Sequence, residues 1–161
     1  MNKANGKIDE IVDKMSRTMA DLYYFMAKEV VDEFGDRGKD VIKRAVIKYG
    51  EFRGRKIRER VLSKGLPLTV ENLGKFYDLP LGYAWKSKKI KQEQNLLEKK
   101  VTYCPFAEEW KQLGGEELGL IYCLQDEALR KAYNPDFIFK QFTNVLSGSR
   151  DCHTVLKQDK N

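Results

Sequence analysis

The sequence predicts an α+β fold, with N-terminal amphipathic helices packed on a small, mainly antiparallel sheet and further helices in the C-terminal half. Two observations carry this. Up to about residue 64, apolar residues recur at three- and four-residue steps. Beyond Gly82 they fall instead into short segments rich in β-branched and aromatic residues, alternating with helix-like stretches. A chain of 161 residues, 42% hydrophobic and 34% charged, suits one domain over 1–161, with a helical part at 1–78 and a strand-and-helix part at 83–158.

The first helix rests on Ile8, Ile11, Val12, Met15, Met19, Leu22, Tyr23, Met26 and Val30. Its methionine and aromatic stripe reads as core, and Tyr23, Tyr24 and Phe25 are assigned no chemistry. Gly35 to Gly38 breaks the pattern, and a second helix follows on Val41, Ile42, Ala45, Val46, Tyr49, Phe52, Ile57 and Val61, ending at Gly65-Leu66-Pro67. Gly50 and Gly54 lie one turn apart within it, a choice best explained by another helix packing close to that face. Thr69 to Tyr77 forms a short third helix, and Tyr83 to Ile90 and Leu96 to Tyr103 read as strands. Pro105 begins a helix ending at Gly114-Gly115, which places Cys104 at a helix N-terminus, where N–H groups and the helix dipole can lower a thiol pKa. Glu116 to Ala132 reads as one further helix with Cys123 and Asp126 on a common face. Phe137 to Val145 and Asp151 to Leu156 read as a strand pair joined by a tight turn at Ser147-Gly148-Ser149. Cys152 and His153 are adjacent in the last strand, so only one of them can face a given side of the sheet.

The net charge of +6 is concentrated in two runs, Arg53 to Arg60 and Lys86 to Lys91. The first reads as the solvated face of a helix and the second as an edge strand guarded by lysine. No nucleic-acid motif accompanies either run, so nucleic acid is disfavoured as a partner. No apolar run approaches the roughly 20 residues of a membrane span, and the polar start MNKANGKIDE is unlike a targeting peptide. A cytoplasmic protein with a small-molecule partner is expected, with homo-oligomerisation left open. An odd cysteine count and no CxxC pair argue for reduced thiols.

Cys104, Cys123, Cys152 and the sole histidine, His153, support three readings. They supply ligands that zinc prefers, without the paired knuckles of a structural zinc site. A thiol near Asp126 and a histidine also fits an activated nucleophile. Finally, cysteine is often just a small buried hydrophobe.

Four segments carry a family resemblance: YGEFRGRKIRERVLSKGLPLT from Tyr49, VTYCPFAEEWKQLG from Val101, IYCLQDEALRKAYNP from Ile121 and LSGSRDC from Leu146. Together they resemble the L-2-amino-thiazoline-4-carboxylic acid hydrolase family over most of the chain. The resemblance implies hydrolytic opening of a cyclic amidine-like thioether to N-carbamoyl-cysteine, with no cofactor beyond the zinc option. On that basis Cys123 is the expected nucleophile or substrate-contacting thiol, Asp126 the amidine binder or base, and Cys104 and Cys152 their supports. Arg53, Arg55 or Arg58 is expected to meet the substrate carboxylate, with Asn134 of the NP step a further candidate; His153 does not come from the family pattern and is a candidate substrate-binding residue only as the sole histidine, next to Cys152. The chain departs from the family pattern at Gly148-Ser149-Arg150-Asp151, where the family usually has glycine followed by aspartate; two readings stand, Asp151 as a displaced substitute or a drifted function.

Overall fold

A computed structural model describes residues 3–159 of the protein. The fold is α+β. Helix α1 (Lys3–Leu62) is folded back on itself at Gly35, whose φ of 58° and ψ of −135° lie outside the helical region. No L side chain adopts that backbone readily, so glycine permits the reversal. Behind the bend, Gly38 abuts the backbone of Val30, and both arms reach Tyr122: Tyr23 from the first at 4.9 Å and Tyr49 from the second at 6.5 Å between ring centroids. The expected two helices are thus the two arms of a hairpin.

After α2 (Val70–Lys75), capped by the Thr69 hydroxyl, the chain enters a four-stranded antiparallel sheet in the order β1 (Lys86–Glu93), β2 (Leu96–Tyr103), β4 (Cys152–Gln158), β3 (Phe137–Gln141). β1 is an exposed edge carrying Lys86, Lys88, Lys89 and Lys91, and it begins three residues later than the sequence pattern implies. Helix α3 (Pro105–Gln112) follows β2, with Cys104 at its N-cap position.

The expected helix over Glu116 to Ala132 is two helices, α4 (Glu116–Cys123) and α5 (Gln125–Tyr133). At the junction the Leu124 N–H bonds to the carbonyl of Ile121, a tightened last turn of α4. Cys123 and Asp126 therefore sit on different helices. The strand expected to reach Val145 ends at Gln141, and its connection to β4 holds a 3₁₀ turn at Val145–Ser147 in place of a tight hairpin turn.

Gly50 and Gly54 meet α5 directly. A Cβ at Gly50 would lie 2.5 Å from the Gln125 carbonyl oxygen, and one at Gly54 would be 2.9 Å from Ala132 Cβ and closer still to the Leu129 carbonyl oxygen. Glycine here allows the second arm and α5 to approach backbone to backbone.

The first arm overturns the reading of its methionine stripe as core. Met15, Met19, Leu22, Phe25 and Met26 are exposed, while Ser16, Ala20, Tyr24 and Ala27 face inward. Small residues bring this arm close enough to α3 for Trp110 Nε1 to donate to the Ala20 carbonyl at 3.0 Å. Tyr23 and Tyr24 tie the arm down through hydroxyl bonds to the carbonyls of Leu118 and Leu113. Among the described residues, no helix is long and apolar enough to cross a membrane.

Candidate active site

Residues alternate across β2, β3 and β4, and one face of the sheet turns Lys99, Val101, Phe139, Gln141, Cys152 and Thr154 towards the helices. Register fixes their neighbours, with Val101 opposite Cys152 and Thr154 between Lys99 and Gln141. Between this face and α3, α4 and α5 lies a cavity of about 120 Å³, the space of about four water molecules at liquid density. Cys104, Cys123, Cys152 and Asp126 all contribute to its wall, as do Trp85, Phe106, Trp110 and Tyr122. Tyr77, Leu79, Leu81 and Trp85 bring the segment between α2 and β1 over one side.

The thiols are free and half-buried. Burial pushes Cys104 up to about 11, although the N–H groups of Ala107 and Phe106 and the Trp85 side chain pull the other way. The expected acidification at the helix N-terminus is thus reversed, because loss of water outweighs the local dipoles. Cys123 is pushed up further, first by burial and then by the charge of Asp126. Cys152 is raised by burial against the pull of the Val145 N–H, which donates to its sulfur at 3.4 Å. All three are therefore thiols at neutral pH. In the native protein they are expected to react with iodoacetamide roughly tenfold or more slowly than free cysteine at pH 7, with the Cys104 rate climbing as pH approaches about 11. Peptide mapping after timed alkylation reads this directly, and a thiol that outpaces free cysteine at pH 7 would contradict it.

Asn144 was not singled out by the sequence reading. Its Oδ1 accepts from the Leu146 N–H at 2.8 Å and from Cys152 Sγ at 3.8 Å, and its side chain lines the cavity beside Cys123. It joins Cys152 to the 3₁₀ turn.

The residues expected to meet a substrate carboxylate lie elsewhere. Arg53 is buried rather than solvated, with Nε and Nη2 on the two oxygens of Asp78 at 2.8 and 2.5 Å and Nη1 on Gln125 Oε1 at 2.5 Å. Arg55 pairs with Glu51 on the outside, and Arg58 donates to the Tyr133 carbonyl at 3.0 Å. Asn134 is buried in the turn after α5, donating to the Leu68 carbonyl and accepting from the Asp136 N–H. None of these four lines the cavity. His153 lies on the opposite face of the sheet from Cys152, with Nε2 2.7 Å from Glu98 Oε1. Asp151 pairs with Thr143 and Lys100 outside the cavity wall.

The wall instead holds two basic residues that sequence inspection passed over, Lys99 and Arg130. Arg130 pairs with Asp126 through Nη1 at 2.9 Å and lies over the Phe139 ring at 4.2 Å. Two signals were available: Lys99 alternates with Leu97 and Val101 in β2, and Arg130 follows Asp126 by one helical turn. Among the described residues, no group of three or more His, Cys, Asp or Glu side chains is placed to hold a metal ion.

The profile of the L-2-amino-thiazoline-4-carboxylic acid hydrolase family matches residues 15–156. The chain belongs to this family. The match takes in the whole cavity wall, from Tyr77 to Thr154. No curated protein matches the chain. Among solved structures, the phenol-responsive sensory domain of the transcription activator PoxR, crystallised with phenol, is similar at a TM-score of 0.56 and 12% identity, over 89% of this chain and 74% of that one. A trafficking protein particle complex subunit 3 from Naegleria fowleri, covalently bound to palmitic acid, is similar at a TM-score of 0.52 and 14% identity, over 90% and 95%. At these identities the likeness concerns the fold.

Proposed function

We propose that this chain hydrolyses a small cyclic amidine of the 2-amino-thiazoline-4-carboxylate type within the thiol-lined cavity. The observation that carries the reading is the placing of Asp126 and three thiols in one enclosed wall, in a chain whose family is named for that hydrolysis. The ring carbon between nitrogen and sulfur is the electrophile. Asp126 has Oδ1 committed to Arg130, which leaves Oδ2 for an amidine N–H or for a water proton. Water adds to that carbon and gives one proton to Asp126; the carbon–sulfur bond breaks, the departing sulfur takes that proton, and the second water proton passes to the ring nitrogen as the carbonyl forms. One water is consumed and the product is the open N-carbamoyl thiol. Cys123, held as a thiol by burial and by Asp126, acts as a substrate contact and hydrogen-bond donor to the departing sulfur. Its environment disfavours a resting thiolate, so water is the preferred nucleophile.

Thiol release from 2-amino-thiazoline-4-carboxylate tests the reading. Wild-type protein is expected to turn over, with kcat lowered at least about tenfold in Asp126→Asn and in Cys123→Ala at unchanged melting temperature. Folded wild-type protein that binds the ring without releasing thiol would overturn hydrolysis and leave a small-ligand binding module.

A further inference from the structure

Two cations and one carboxylate share the cavity wall, and the imbalance has a location. Both hydrogen bonds of Arg130 leave from Nη1, one to Asp126 Oδ1 and one to the Asp126 carbonyl. Its Nε is buried and has no partner among the described residues, and the residue is only 8% exposed. The Phe139 ring beneath the guanidinium fixes its plane. Lys99, projecting from β2 into the same wall, makes no hydrogen bond or ion pair among the described residues. Among the described residues Asp126 is the only carboxylate in that wall, and it is already engaged by Arg130. A half-buried cation without a counter-charge is costly, and a buried donor without an acceptor adds to the cost. The strain registers on Lys99, whose ammonium is disfavoured first by burial and then by the charge of Arg130. A bound anion would supply the missing counter-charge.

We propose that Lys99 and the unpartnered edge of Arg130 form an anion subsite that takes the carboxylate of a small, flat ring. The inference deepens the hydrolase reading by assigning the group that holds the substrate's acid, a role that Arg53, Arg55 and Arg58 cannot fill from their positions. Guanidinium and ammonium together favour a carboxylate over a neutral amide of the same shape. The cavity, at about 120 Å³, is well below the roughly 300 Å³ at which drug-sized sites begin, which restricts the ligand to one small ring.

The chain's two tryptophans, Trp85 and Trp110, both stand in the cavity wall, so their fluorescence reports binding without turnover. The probes are thiazole-4-carboxylate and thiazole-4-carboxamide. Wild-type protein is expected to bind the carboxylate at least tenfold more tightly than the carboxamide. Lys99→Met removes most of that preference in a variant whose far-UV circular dichroism matches wild type, and Lys99→Arg retains it. Equal affinity of wild-type protein for both probes, absence of carboxylate binding, or a preference that survives Lys99→Met would each overturn the subsite. Because the readout is equilibrium binding, a preserved carboxylate preference in a protein that releases no thiol would sink the hydrolase reading alone.

Discussion

Replacing Arg53 with methionine is expected to destabilise the protein by about 3 kcal/mol at neutral pH, the lower end for breaking a buried ion pair. The lower end applies because Arg53 has a side-chain exposure of only 4% but its partner Asp78 reaches 22%. Methionine preserves much of the apolar stem between the Tyr49 and Tyr77 rings, each 5.5 Å from the guanidinium carbon. It supplies nothing to the two Asp78 oxygens or to Gln125 Oε1. The loss is therefore an uncompensated carboxylate more than a packing defect. It also has a pH signature. Burial opposes ionisation of Asp78, yet the hydrogen bonds and charge of Arg53 outweigh it and hold the carboxyl below 3.8. A depressed carboxyl contributes stability above its unfolded value and loses it as pH falls through the folded one. The gap between wild type and Arg53→Met should accordingly be full at neutral pH and shrink in acid below about 4. Urea unfolding at pH 7 and near pH 3 reads both, and a gap under about 0.5 kcal/mol at pH 7, or one unchanged in acid, would refute the account. Gln125 and Tyr77 also line the cavity, so small-ring affinity should fall in the same variant.

Gly54→Ala should cost about 2–3 kcal/mol, near the top of the range for overpacking a tight contact. Alanine is the better helix former by about 1 kcal/mol, so a substitution judged from helix propensity alone would be expected to stabilise. The opposite sign follows from what the new methyl meets: the Leu129 carbonyl carbon at 3.0 Å and Ala132 Cβ at 2.9 Å, on a neighbouring helix that cannot yield without moving. Gly74 provides the control, since it lies in α2 with nothing within 4 Å of an added Cβ. Gly74→Ala should be neutral or stabilising by up to about 1 kcal/mol. If both variants shift the unfolding midpoint in the same direction, close approach is not what glycine supplies at position 54. Displacing α5 also moves Asp126 and Arg130, so Gly54→Ala should weaken ring binding from a position outside the cavity.

Features set by local sequence were legible: the break at Gly35, the short helix after Pro67, the lysine-guarded edge of β1 and the placing of Cys104 before Pro105. So was the close packing behind Gly50 and Gly54, because a helix carries two glycines on one face for few other reasons. Features that depend on distant partners were not. Arg53 looked solvated among its basic neighbours because Asp78 lies 25 residues away. Lys99 looked like one more surface lysine until the pairing of β2 with β4 gave the sheet an inner face. The stripe from Met15 to Met26 has helical spacing, but spacing alone does not say which face is buried. Here Ala20 and Ala27 win because they admit Trp110 and its neighbours. The thiols were legible as a group, but their acidity was not, since enclosure outweighs the helix N-terminus.

Cys152 and His153 are consecutive, yet one meets the cavity and the other meets Glu98 across the sheet. The composition of the cavity is in this sense a matter of parity. Shifting β4 by one residue against β2 would trade a thiol and a hydroxyl, Cys152 and Thr154, for an imidazole and an isopropyl group, His153 and Val155. Every residue would still be present, but the chemistry would be on the wrong side. The 142–151 connection carries Asn144, Val145 and Leu146 into the cavity wall, and a single insertion inside Leu96–Tyr103 or Cys152–Gln158 turns the remaining side chains over. The cavity therefore depends on strand register and on the length of that connection alike, and relatives that keep both can keep the same cavity.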